Sequence, residues 1–117
     1  MRVSYIIAHK DERRVIEECE LQDGTWSQRL TLGDGESVLG AHAHQVTELF
    51  TLVSGKGTYV LDSDMIVEEM NPGDSAYVPT GIGHVFRLAP HSVMVCHRGG
   101  PHAEDEVVKM PEMLDLI

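Results

Sequence analysis

Along the chain, apolar positions fall in short runs of strand length separated by turn residues, with no long stretch at helical period. The run 26–32 alternates and puts Trp26, Gln28, Leu30 and Leu32 on one face, the period-two pattern of a half-buried strand. Further runs at 3–8, 48–53, 58–61, 65–69, 76–78, 85–88 and 92–96 are rich in Val, Tyr, Thr, Phe and Leu, residues that suit a pleated surface. Between them lie Gly33-Asp34-Gly35, Asp62-Ser63-Asp64, Asn71-Pro72-Gly73-Asp74, Thr80-Gly81-Ile82-Gly83 and Ala89-Pro90. These are turn compositions: Gly supplies positive φ, Pro presets φ, and Asp or Asn bonds its own backbone. The stretch 11–20 reads either as a helical turn or two, or as a strand. The tail 104–117 is charged, broken by Pro111, and closes with a short helical turn. Short strands at this spacing predict one all-β antiparallel domain, a sandwich or a barrel.

A chain of 117 residues can build one core and not two. The apolar fraction, 42%, is that of an ordinary globular domain. No apolar run approaches the roughly 20 residues that span a bilayer. The N-terminal stretch has only a short apolar segment with charge directly behind it, so it is not expected to be a signal peptide, and a cytoplasmic location follows by default. The net charge of −10 opposes binding to phosphate backbones or anionic lipid. With no basic stripe interleaved with aromatics, nucleic acid and membrane drop out as partners. The acid at 11–12, 17–18, 62–69 and 104–106 reads as solubilising surface. The run 62–69 lacks the spacing of a calcium loop. Cys19 and Cys96, far apart, form neither a disulfide framework nor a zinc ribbon, and read as buried thiols.

The segment 40–57, GAHAHQVTELFTLVSGKG, gathers two histidines and a glutamate within seven residues. In a strand, His42 and His44 share a face and can converge on one ion. Glu48 follows after a connection short enough to return a neighbouring strand, so its carboxylate would face the same interior. A fourth ligand should come from a separate strand, and His84 is the candidate. It follows the rigid turn 79–83, with Phe86 and Leu88 on its own face to pack beneath the site.

The spacing His42-x-His44-x3-Glu48-x6-Gly55 resembles the first motif of the cupin superfamily, G-x5-H-x-H-x3,4-E-x6-G. Gly73-x5-Pro79-x-Gly81-x2-His84 resembles the second, G-x5-P-x-G-x2-H-x3-N. Two fixed positions depart: Glu36 stands where the first glycine is expected, and Leu88 where the final asparagine is expected. Neither is a metal ligand in the family. The resemblance implies a single cupin domain over residues 1–117, with motif one at about 36–55 and motif two at about 73–88. It implies an antiparallel β-barrel of jelly-roll type holding one divalent transition metal through His42, His44, Glu48 and His84. Three histidines and a carboxylate leave one or two positions open on an octahedral ion, which suits iron, manganese, nickel or cobalt, with zinc also possible. Single-domain cupins commonly pair, so a homodimer is expected, with the run 3–8 as a joining strand.

Other side chains could also carry chemistry. His97, Tyr77 and Tyr59, in that order, are candidate acid–base or donor groups near the ion. His97 shares a face with Val93 and Val95, and a solvent-facing strand end competes with its cavity reading. For the tyrosines, core or rim packing competes. His9, His91 and His102 sit in turns or near the end and read as solvated. Arg87 and Arg29 read as surface or interface, Arg98 is open either way, and Trp26 reads as a core or dimer anchor. Three functions remain: an enzyme acting on a small metabolite through the metal (dioxygenase, isomerase, lyase, decarboxylase or cyclase), a non-catalytic small-molecule-binding module, and a barrel merely stapled by its ion.

Overall fold

A computed structural model describes residues 3–101 and 107–117. His102 and the acidic stretch 104–106 lie outside the described residues. One antiparallel sheet runs in the order β1 (Ile6–Lys10), β2 (Arg14–Glu20), β3 (Trp26–Leu32), β10 (Val93–Arg98), β5 (Glu48–Ser54), β8 (Ser75–Val78). A second runs β11 (Val107–Lys109), β4 (Ser37–His44), β9 (His84–Leu88), β6 (Gly57–Leu61), β7 (Glu68–Met70). A 3-10 turn over Pro111–Leu116 ends the chain. The two sheets form a jelly roll. Among the described residues their hydrogen bonds do not close into the barrel expected from the sequence.

Local chemistry explains where strands begin. The ambiguous stretch 11–20 becomes β2 because Asp11 turns the chain: its Oδ1 accepts the amides of Arg13 at 2.8 Å and Arg14 at 3.1 Å. Residues 65–67, expected in a strand, lie outside one. Met65 takes φ +59° and the Ile66 amide bonds the Asp64 carboxylate, so pairing starts only at Glu68. The first strand likewise starts at Ile6 rather than at residue 3.

Burial follows strand parity. Between the sheets lie Ile16, Leu30, Leu52, Phe86, Leu88 and Met94, with Cys96; each large side chain there contributes roughly 1.5–3 kcal/mol. A smaller cluster lies on the outer face of the second sheet, where Ala41, Val60 and Val85 pack under Met113 of the C-terminal turn. Both cysteines are buried, and they form no disulfide with each other. Arg87 faces away from His84 and reaches Glu36 and the carbonyl of Ile117. Arg29 lies on the outer face with Glu17 and over the Tyr5 ring.

One irregularity in β4 decides which way its histidines face. In β4 the ladder to β9 pairs Gly40 with Val85 and His42 with His84, leaving Ala41 extra. Gly40 and Ala41 both take positive φ, +97° and +58°. A bulge of one residue inverts strand parity. Leu39 faces the inter-sheet core and Ala41 the outer cluster, so after the bulge it is the even positions, His42 and His44, that turn inward.

Candidate metal centre

Four side chains meet where β4 ends and β5 and β9 begin. His84, the first residue of β9, lies across the ladder from His42. The turn before it is tied to β4, because the Gly81 amide donates to the His44 carbonyl at 2.9 Å. Gly81 has φ +80°, a conformation cheap only for glycine. The ring centroids of His42, His44 and His84 are 4.4, 4.9 and 5.0 Å apart. One nitrogen from each ring lies within 4.8 Å of the others. Glu48 Oε1 is 3.3 Å from His44 Nε2 and 3.9 Å from His84 Nε2. Its other oxygen accepts from the Cys96 thiol at 3.5 Å and lies 3.7 Å from Arg98 Nε.

The electrostatics favour ligands over charges. Burial, reinforced by neighbouring His42, His44 and Arg98 and opposed by the Ile82 carbonyl, holds the His84 imidazole down to a pKa of about 3. It is therefore neutral at physiological pH and keeps a lone pair for an ion. Glu48 is 2% exposed, and a carboxylate so buried needs cationic company, which Arg98 supplies from the first sheet. Three imidazoles and one carboxylate are a donor set for a divalent transition metal. They fit the group that the sequence implied.

The site opens into a cavity of about 90 Å³ between the sheets. The histidines line the wall formed by the second sheet. Glu48, Arg98, Cys96, Gln28 and Arg14 line the wall formed by the first, and Phe50 and Phe86 close the apolar end.

The expected acid–base shortlist does not reach this cavity. His97 is exposed and bonds Thr25 Oγ1 at 2.9 Å: Val93, Val95 and His97 do share a face, but it is the outer one, and Met94, Cys96 and Arg98 point in. Tyr77 is 58% exposed, standing outward between the buried Ala76 and Val78. Tyr59 does point inward, yet it pairs with Phe86 rather than with His84 and packs on that ring. None of the three lines the cavity; His97 sits at a solvent-facing strand end, Tyr77 at the surface and Tyr59 against the core, as their competing readings had it. Arg98, left open by the sequence, is buried in the site. Arg14, which opens β2, carries no signal in the sequence beyond its place in the ambiguous stretch 11–20. Of the histidines expected in turns, His91 is exposed, whereas His9 lies within β1, half-buried and bonded to Asp11.

A cupin domain model matches residues 28–102. The chain belongs to the cupin family. No curated protein matches the sequence, but solved structures share the fold. Oxalate decarboxylase from Bacillus subtilis aligns with a TM-score of 0.69 at 13% identity, over 83% of this chain and 28% of its own. A second structure of that enzyme, described for its Mn(II) centres, aligns with a TM-score of 0.73 at 13% identity, over 91% of this chain and 30% of its own. The capsular polysaccharide assembling protein CapF from Staphylococcus aureus aligns with a TM-score of 0.76 at 16% identity, over 93% of this chain and 32% of its own. This cupin therefore spans about a third or less of each of those chains.

Proposed function

We propose that this cupin is a metal-dependent enzyme acting on a small metabolite. The observation that carries the reading is the convergence of His42, His44 and His84, with nitrogens within 4.8 Å, beside the buried Glu48 and an accessible cavity. These four residues would hold one divalent ion, and manganese joins iron, nickel, cobalt and zinc in the screen. Such an ion supplies Lewis-acid polarisation of a bound oxygen, or a redox centre where the metal is iron or manganese. The rest is the chain's own contribution. Glu48, held between Arg98 and the histidines, keeps a negative charge at the ion's position. Arg98 and Cys96 orient that carboxylate through its second oxygen. Phe50 and Phe86 shield the apolar end from water. The reaction class stays among dioxygenase, isomerase, lyase, decarboxylase and cyclase, because the fold is shared by all of them.

A non-catalytic binding module is the second reading. It draws support from the cavity walls: apart from the three histidines and Glu48, the ionisable side chains lining them are Arg14, Cys96 and Arg98, and arginine holds its proton too tightly for acid–base work. The test is turnover of a metabolite panel by metal-loaded protein, with His84→Ala in parallel. Turnover that needs His84 supports the enzyme; a ligand that binds and is recovered unchanged after long incubation supports the module. A homodimer is part of the proposal. Ile6 and Ile7 on the edge strand β1 are 65% and 61% exposed, apolar surface that a second copy would cover.

A further inference from the structure

The cavity wall formed by the first sheet holds two buried hydrogen-bond donors with no acceptor. Arg13, Arg29, Arg87 and Arg98 each have a carboxylate between 3.3 and 3.8 Å away, from Asp11, Glu17, Glu36 and Glu48 respectively. Arg14 has no such partner among the described residues. This is unexpected in a chain with 19 acidic residues against nine Lys and Arg. The side chain of Arg14 lines the cavity, and its Nε is buried with no acceptor. Gln28 lines the same cavity from the adjacent strand. It is 9% exposed, and its Nε2 is likewise buried with no acceptor. Glu18 sits directly across the ladder from Gln28, yet it does not meet this nitrogen and is not part of the cavity wall. Buried donors left without acceptors are costly and uncommon, and a ligand oxygen would satisfy them.

We infer that Arg14 and Gln28 anchor a small carboxylate whose other end faces the histidines and Glu48, an assignment that rests on reading this cavity as the substrate site. Both groups present N–H donors, and Arg14 is a fixed cation, so the ligand offers oxygen acceptors of which at least one is anionic. Ile16 and Leu30 form the rung between the two donors, and with Leu39 and Phe50 they make much of the cavity wall apolar, which suits a carbon skeleton better than a bare inorganic anion. A cavity of about 90 Å³ is small beside the roughly 300–1,000 Å³ of ordinary ligand pockets, so the skeleton is short.

The test uses zinc-loaded, nitrogen-15-labelled protein. The side-chain amide resonances of Gln28, assigned by their loss in Gln28→Met, are followed while glycolate, malonate, glycolamide or inorganic phosphate is added at millimolar concentration, the range expected for so few ligand atoms. The expected result is a saturable shift with a carboxylate and none with glycolamide. Arg14→Gln should weaken that binding by roughly 10- to 100-fold, and Arg14→Lys by less. Absence of saturation with both carboxylates, equal binding of glycolamide, or unchanged affinity in Arg14→Gln would overturn the assignment. Phosphate binding more tightly than either carboxylate would overturn the ligand class. If Arg14→Gln does not fold, Arg14→Lys and Gln28→Met carry the comparison, the latter by calorimetry. Zinc content is measured in every sample, and the titration is repeated without metal. Protein that takes up no zinc but shows Arg14-dependent carboxylate binding keeps this inference and removes the metal reading; full zinc with Arg14-independent binding does the reverse.

Discussion

Replacing Gly40 with alanine should damage the metal site without touching any ligand. Gly40 opens the bulge at φ +97°, and a Cβ built there would lie 2.6 Å from the His84 carbonyl oxygen, 3.2 Å from His84 Cδ2 and 3.3 Å from Val85 Cα. Two costs combine. Holding an alanine at positive φ costs about 1–3 kcal/mol, and forcing a methyl group against backbone adds roughly 1–3 kcal/mol. The sum, about 2–6 kcal/mol, is a large share of the ~5–15 kcal/mol that stabilises a domain. Relief must come from moving the start of β9, which carries His84. The assay is thermal or urea unfolding together with metal titration, and Gly81→Ala and Gly73→Ala serve as controls. Both controls have positive φ, +80° and +95°, but nothing within 4 Å of the added Cβ, so they report strain without collision. Gly40→Ala should lose at least about 1 kcal/mol more than either control and bind metal at least about tenfold more weakly, the order seen when groups that orient ligands are disturbed. A Gly40→Ala protein that unfolds with the controls and binds metal as tightly as the parent would refute the claim that the bulge aims the histidines.

Three further perturbations test separate links. Arg98→Met removes the cation 3.7 Å from Glu48 and leaves a buried carboxylate behind, so metal-free protein should lose about 3 kcal/mol and metal-loaded protein less; equal losses in both forms would break the proposed link between Arg98, Glu48 and the ion. Acid should destabilise the metal-free protein through His84: its folded pKa of about 3 lies below the ordinary 6.5, so its contribution is complete above about pH 6.5 and declines by roughly 1 kcal/mol per unit as pH falls toward 3. Urea midpoints that stay level from pH 7.5 to about 4.5 would contradict the buried neutral imidazole. His97→Ala should change stability by less than about 0.5 kcal/mol and leave metal content unchanged, because the side chain reaches only Thr25; loss of metal in that variant would place His97 back at the site.

The site was more readable in the sequence than the cavity around it. His42, His44, Glu48 and His84 stand at the spacings of the two cupin motifs, and it is that resemblance, more than strand alternation, that joins them into one site. The bulge was not readable, because Gly40-Ala41 looks like ordinary strand sequence and only the ladder reveals the extra residue. The orientation of β10 was equally hidden. Val93, Val95 and His97 were correctly placed on one face, but Met94 and Cys96 make the alternate face just as apolar, and only the packing of two sheets decides which row turns inward. Gln28 is legible as a polar residue on the apolar face of 26–32 but not as part of a cavity, and Arg14 lies in a stretch whose sequence suits helix or strand. Nothing local marks a polar side chain that will face an internal wall. The outer cluster under Met113 was missed because the tail reads as charged rather than as a cover for Val60 and Val85.

The most direct test of the central claim is elemental analysis of untagged, gently purified protein beside His84→Ala, after reconstitution with iron(II), manganese(II), nickel(II), cobalt(II) and zinc(II) in turn. The account predicts about one equivalent of a transition metal per chain in the parent, and far less in the variant while its fold, followed by circular dichroism, is retained. Absence of metal from the parent under every condition, or equal metal in parent and variant, would contradict it.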